Sequence, residues 1–143
     1  TAFLETYCGP VVAPELAARA ATVEGLLTLP RLHTRTFLHG WDQWANRAGV
    51  ALPPAGLVRE FDHYFYMIEA AAAGLGVAMV PHAFVERDLA AGRLVAPLGM
   101  VPEPTLLCAL TPRAGASRGA RRFRVWLVEQ GRACAPPPFS QQT

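Results

Sequence analysis

The stretch that most constrains this chain runs from Asp62 to Gly92. Tyr64, Met67, Ile68, Ala71 and Ala72 recur at helical spacing, so one face of a helix must be buried. Asp62 is a suitable N-cap for it, and Gly74 supplies the stop. Val77 to Val80 follows at once as a short apolar strand, closed by Pro81. A helix from His82 to Ala91 comes next, with Phe84, Val85 and Leu89 expected inward, and Gly92 ends it. Helix, apolar strand and helix in immediate succession demand a sheet with helices packed upon it.

The rest of the chain repeats the alternation. Tyr7 to Ala13 reads as a strand stopped by Pro14, which cannot continue a ladder. Pro14 then suits the first turn of a short helix through Ala18. Thr22 is a plausible cap for a helix over Val23 to Leu27. Pro30 precedes a brief strand, Arg31 to Thr34. Trp41, Trp44, Ala45 and Ala48 share one face of a helix that Gly49 stops. After a turn-rich connection through Pro53, Pro54 and Gly56, Leu57 to Phe61 reads as a strand, with Arg59 in its middle. Leu94 and Val95 lead into a proline-rich loop. Leu106 to Leu110 is then a continuous apolar run, as expected of a strand covered on both faces. The last helix, Ser117 to Gln130, carries Ala120, Phe123 and Leu127 on one face. Beyond Gly131, the segment 135–143 has too little to bury and is expected to be disordered. The expected fold class is α/β, with a mixed, mostly parallel sheet flanked by helices.

Composition narrows the function classes. The chain has 143 residues, 52% of them hydrophobic and 17% charged, enough for one domain with a real core. No apolar run approaches the roughly 18 residues of a membrane span. The start, Thr-Ala-Phe-Leu-Glu-Thr, lacks the basic and apolar regions of a secretory signal, so a cytoplasmic protein is expected. A net charge of +2 is too small to imply nucleic-acid binding by the whole surface. Cys8, Cys108 and Cys134 are an odd set without paired spacing, which points to reduced thiols rather than a disulfide framework or zinc site. A redox role would need a low-pKa thiol and a resolving partner.

No catalytic constellation emerges. Gly74-Leu75-Gly76 follows a helix and precedes a strand, the reverse of the order a phosphate loop needs. His33, His39, His63 and His82 show no helical pair spacing and no completing ligand, so neither metal nor cofactor is expected. Glu60 and Asp62 are close in sequence, but Asp62 is explained as a cap. Arg113, Arg118, Arg121, Arg122 and Arg124 surround the apolar stripe of the last helix. A solvated face is their default, with phosphate binding the alternative. Trp41 and Trp44 read as core or interface rather than a stacking platform. Nothing here requires an enzyme.

The ordered pieces Val11-Val12-Ala13-Pro14, Leu29-Pro30-Arg31-Leu32-His33, Trp41-Asp42-Gln43-Trp44 and Phe61 before a helix form a recognisable series. It continues through Glu69 to Pro81, Leu89 to Val95 and Phe123 to Leu127. The series resembles the C-terminal effector-binding domain of LysR-type bacterial transcription regulators. The Trp-x-x-Trp element is similar to the branch containing glycine-cleavage and β-lactamase-inducer regulators. The resemblance implies a periplasmic-binding-protein-like (type 2) fold of two α/β lobes, with an effector held between them. On this pattern residues 1–134 are a partial effector-binding domain. The second lobe is 13–105, the crossover strands are 7–12 and 106–111, and the helix 117–131 docks on a first lobe. On this pattern the family's winged helix-turn-helix is expected to lie outside these residues, and DNA contact only through it.

The same resemblance supplies site residues. Helix N-termini expose unpaired N–H groups that can hold a polar or anionic effector. The expected loops are Thr34-Arg35-Thr36 before the Trp helix and Asp62-His63 before the Tyr64 helix. Phe61, Val80 and Pro81 would form the apolar wall, and Arg35 would pair with a carboxylate. Capping is the alternative role for the two threonines. Phe123, Trp126 and Leu127 are the expected interface, covered in a homodimer or domain-swapped pair. A transporter's solute-binding protein, an enzyme with a covalent cofactor and a ligand-free oligomerisation module are the competing classes.

Overall fold

The computed structural model describes residues 1–112, 115–134 and 137. The expected disorder over 135–143 and the side chain of Arg113 therefore lie, apart from Pro137, outside the described residues. Five strands form one sheet in the order β3-β2-β4-β1-β5. They are β1 (Ala2–Val11), β2 (Arg31–Thr34), β3 (Val58–Phe61), β4 (Val77–Pro81) and β5 (Val101–Cys108). β2 runs parallel to β3 and β4, whereas β1 is antiparallel to both β4 and β5. The sheet is thus mixed, with its parallel part confined to β3-β2-β4.

The helices are α1 (Val23–Leu27), α2 (Gly40–Ala48), α3 (Tyr64–Ala72), α4 (His82–Ala90) and α5 (Arg118–Ala133). Alternation along β4 divides the core in two. Val77 and Met79 join Trp41, Trp44, Leu26 and Cys8 on one face, while Ala78 and Val80 join Met67, Ile68, Ala71 and Val85 on the other. Each strand residue therefore commits to one helix layer, as the twofold period of a strand requires. Thr22 caps α1 as expected, its Oγ1 accepting from Gly25 N at 3.1 Å, and Ser117 caps α5, its Oγ accepting from Ala120 N at 3.1 Å. Between α3 and β4, Gly74 has a φ of 78° and Gly76 lies against the Pro30 carbonyl, whose oxygen accepts from Val77 N at 2.9 Å. A side chain at Gly76 would separate β4 from the entry to β2.

Several expectations are corrected. The Pro14 helix is only a 3-10 turn over Pro14–Leu16, followed by another over Arg19–Ala21. Asp62 does not cap α3; His63 occupies that position, with no side-chain hydrogen bond, and Asp62 is drawn instead to Arg35 at 3.2 Å. Phe84 faces outward at 55% exposure, and Ala48 is exposed at the frayed end of α2. The apolar run ending at Leu110 is not covered on both faces: Leu107 is exposed within β5, the outer strand of the sheet, and Leu110 is exposed beyond the strand's end at Cys108. Trp41 and Trp44 are core residues, packed edge-on at 6.1 Å, with the Arg31 guanidinium 5.4 Å from the Trp41 ring.

Helix α5 lies along the first half of β1. Ala120, Arg124, Leu127, Val128 and Gly131 are its less exposed positions, at the spacing of one helical face. Phe123 is exposed and stacks on Trp126 at 5.5 Å, so these two share the outward side while Leu127 belongs to the inward one. Gly131 sets the depth of the contact, since a Cβ there would overlap the carbonyl of Phe3. Gly131→Ala should therefore lift α5 and cost about 1–3 kcal/mol by chemical denaturation. Gly119→Ala, at an uncrowded position of the same helix, should instead raise stability by about 0.5–1 kcal/mol.

Candidate functional site

Chemistry collects where the parallel strands end. In open α/β sheets, ligands bind beyond the carboxyl ends of the strands, where the connections diverge. Here that edge is formed by Thr34 of β2, Phe61 of β3 and Pro81 of β4. Strands β1 and β5 cross beside it, with Tyr7 opposite Pro102 and Cys8 opposite Val101. Between the pairs Tyr7–Pro102 and Glu5–Leu106 the register slips, so that Thr6 faces Glu103, Pro104 and Thr105 together. Two prolines lacking N–H groups flank Glu103, which explains why the ladder breaks at that point. Such bulges re-aim side chains.

The result is a linked polar cluster. The Thr6 hydroxyl and the Cys8 thiol both hydrogen-bond to the Glu103 carboxylate. Tyr64, at the start of α3, shares a hydrogen bond with Thr34 and senses the charge of Glu103. Thr34 in turn lies 2.9 Å, oxygen to oxygen, from Thr36. Thr34 is 1% exposed, so its hydroxyl is fixed by these partners rather than by water. Burial first, and then the neighbouring Glu103 charge, pushes the Cys8 thiol up to about 12. Burial likewise raises Tyr64 above the usual phenol range, and raises Glu103 against the opposing pull of its Thr6 and Cys8 hydrogen bonds. Three titratable groups are thus all biased toward their neutral forms. That combination suits hydrogen-bond recognition, not a nucleophile. Among the described residues no three of His, Cys, Asp and Glu come together to hold a metal ion.

The expected site residues divide around this cluster. Thr34 and Thr36 are in it, but a 3-10 turn over Arg35–Phe37 separates them from α2, whose N-cap is His39. They do not cap the Trp helix. Arg35 projects into solvent and is already engaged, with Nε 2.8 Å from Glu60 Oε1 and an Nη 3.2 Å from Asp62 Oδ1. Parallel pairing of Thr34 with Phe61 places both acids within its reach. Phe61 and Pro81 are half-buried at the strand ends and can line a wall. Val80 cannot, because it is wholly enclosed in the core against α3 and α4. His63 is exposed beside the Tyr66 ring.

Tyr64, Cys8, Thr6 and Glu103 escape a reading of the sequence by periodicity. Tyr64 passes for one more apolar position of α3, and Cys8 for a small buried hydrophobe. The available signal was the acid set between Pro102 and Pro104. Rings border the cluster as well, since Tyr64 lies 6.4 Å from Phe37 and 4.9 Å from Phe84. A cavity of about 480 Å³ lies elsewhere, between the first half of β1, the start of α4 and the end of α5. None of the expected effector residues lines it; its walls combine Phe3, Leu4, Tyr7 and Val128 with the ionisable side chains of Glu5 and Arg132, among others.

Known proteins share this architecture. A family model for the LysR substrate binding domain matches residues 1–132. Over 126 residues the chain is 40% identical to the HTH-type transcriptional regulator TrpI of Pseudomonas aeruginosa, covering 85% of this chain and 43% of that protein. It is 34% identical over 126 residues to the HTH-type transcriptional activator AmpR of Enterobacter cloacae, covering 85% and 42% respectively. The chain therefore spans less than half the length of these curated relatives. Among solved structures, the effector domain of AmpR from Pseudomonas aeruginosa aligns with a TM-score of 0.78 at 27% identity, covering 93% of this chain and 65% of that one. The AmpR effector binding domain from Citrobacter freundii aligns with a TM-score of 0.73 at 26% identity, covering 94% and 68%.

Two measurements check the cluster. Under native conditions a thiol reagent should label the exposed Cys108 and Cys134 while sparing Cys8, which should react only after denaturation. Rapid native labelling of Cys8 would contradict its burial. Glu103 binds its proton more tightly in the folded chain than in the unfolded one. Its contribution to stability therefore falls as pH rises through the window above the ordinary carboxylate value, from about 4.3 upward. Glu103→Gln should flatten that slope in denaturation curves taken between about pH 4 and 7.

Proposed function

The chain belongs to the LysR substrate binding domain family, and from that premise we propose that it is the effector-sensing portion of a transcription regulator. The lobe lying between β1 and β5 in the chain supplies one wall of a cleft, and those two strands lead to a second wall on a first lobe. The effector is a small polar molecule held at the strand ends. The observation that carries this reading is the cluster of Thr34, Tyr64, Cys8, Thr6 and Glu103 at the point where β1 and β5 leave the parallel part of the sheet. Hydroxyl, thiol and carboxyl groups that are buried or half-buried are costly unless something completes their hydrogen bonding. A bound metabolite does so.

The relatives are transcriptional regulators, which are not enzymes, and we assign the chain no bond-making role of its own. A transporter's solute-binding protein is not favoured, because the curated relatives described above regulate transcription. DNA contact is assigned to a helix-turn-helix outside the matched residues, on the strength of the relatives' names. No described helix is long and apolar enough to cross a membrane, and a cytoplasmic location fits a regulator. The exposed Phe123–Trp126 stack supports a packed partner, and a homodimer remains part of the proposal.

The test is binding by the full-length protein. A thermal-shift screen of small polar metabolites should find a stabilising ligand. Tyr64→Phe and Thr34→Val should then each weaken it by about tenfold in calorimetry, as expected for losing one buried hydrogen bond of about 1–1.5 kcal/mol. Arg35→Ala should change the affinity far less, since that guanidinium is spent on Glu60 and Asp62. Unchanged affinity in both Tyr64→Phe and Thr34→Val would remove the cluster from the site.

A further inference from the structure

We propose that Glu103 determines the specificity of this cleft by receiving a protonated amine of the effector, so that the ligand class is small primary ammonium compounds rather than simple anions. The inference rests on the reading of the cluster as the effector site, and it follows from what the charged groups around that cluster are doing. The one arginine beside the strand ends, Arg35, is held by Glu60 and Asp62. Its positive charge is more than matched before any ligand arrives. Glu103 adds a further acid, and among the described residues it takes part in no ion pair; Arg47 acts on it only through its field. An anionic ligand would meet an acidic edge whose strand-end arginine is already paired, with Arg47 contributing its field from farther along α2.

The geometry around Glu103 suits a donor. A carboxylate offers about four acceptor positions. Thr6 and Cys8 occupy some of them and fix the plane of the group without supplying charge. Glu103 lies at the bulge of β5, off the regular ladder, and its charge acts on Tyr64. Aromatic rings supply a second, independent complement to a cation. Tyr64 sits between Phe37 and Phe84, with Phe84 more than half exposed at the rim. An ammonium group is drawn both to the faces of such rings and to a carboxylate beside them. Thr36, exposed and held by the Thr34 hydroxyl, remains for the polar body of the ligand.

The test uses the full-length protein and matched pairs of probes: common α-amino acids, in both enantiomers, each against the 2-hydroxy acid with the same side chain, and glucosamine against glucose. At least one amine should raise the melting temperature where its amine-free counterpart at equal concentration does not. Glu103→Gln should then raise the Kd for that amine by about tenfold or more, a loss of about 1.4 kcal/mol. Glu103→Asp, which keeps the charge, should retain most of the affinity, and circular-dichroism melts should show both variants folded. Absence of binding by every amine, equal binding of an amine and its counterpart, or a Kd unaltered by Glu103→Gln would each overturn the proposal. So would a Glu103→Asp protein that loses the amine as fully as Glu103→Gln. If Tyr64→Phe and Thr34→Val weaken the amine but Glu103→Gln does not, the cluster is the site and only the role of Glu103 fails. If none of the three variants matters, the site itself lies elsewhere.

Discussion

Strand β1 uses both of its edges, and the remainder of the fold is arranged around that fact. From Cys8 to Val11 it pairs with β4, and from Ala2 to Cys8 it pairs with β5. A strand with partners on both sides cannot slide by one residue without reversing every side chain and orphaning backbone groups on two ladders. This double pairing fixes Cys8 and Thr6 in depth relative to the ends of β2 and β4. It also explains where proline is tolerated. Pro10 lies beyond the last residue paired with β5, where β1 has β4 alone beside it. Pro102 and Pro104 lie on the edge strand, where the missing donors loosen the ladder and produce the bulge that presents Glu103.

Much of this was legible in the sequence, and the legible parts share a property: they are decided within a few residues. The Thr22 cap, the stop of α2 at Gly49, and the succession of α3, β4 and α4 all follow from local spacing. What local spacing could not supply was the neighbour. Leu106 to Leu110 has the composition of an inner strand, yet β5 is the sheet's outer strand, because β1 approaches it antiparallel and nothing described pairs on its far side. Asp62 has the chemistry of a cap, but Arg35 is brought beside it by parallel pairing of β2 with β3, and the ion pair competes successfully. Phe84 obeys helical periodicity, yet at the start of α4 it meets the Tyr64 ring at the surface rather than the core.

The same distinction separates the two halves of the candidate site. Thr34 and Phe61 were proposed from the loop before a helix and from motif position, and in the structure both stand at strand ends, where α/β sheets bind ligands. Cys8, Tyr64 and Glu103 come from three separate segments, and each has an ordinary local explanation as core thiol, stripe aromatic or loop acid. Only the register that sets Tyr7 against Pro102 and Cys8 against Val101 makes them neighbours. Their altered acidity is a property of that meeting: burial raises all three, and the Glu103 charge raises the other two further. The ion pairs of Arg35 went unseen for the matching reason, since Glu60 enters its surroundings through the pairing of His33 with Glu60 on the adjoining strand.

On the proposed reading, location at the crossing strands matters as much as chemistry. A ligand can shift a conformational equilibrium only by the difference in its affinity for the two states. Groups deep inside one lobe would bind equally in open and closed forms and transmit nothing. Thr6, Cys8 and Glu103 are borne instead by the two strands that would join the lobes, while Thr34 and Tyr64 belong to the lobe proper. A molecule that bonds both sets ties the crossover strands to the sheet end, so its binding energy depends on the angle at which β1 and β5 depart. The bulge at Glu103 is the least regular part of that junction, and therefore the part where a change of angle costs the fewest ladder hydrogen bonds.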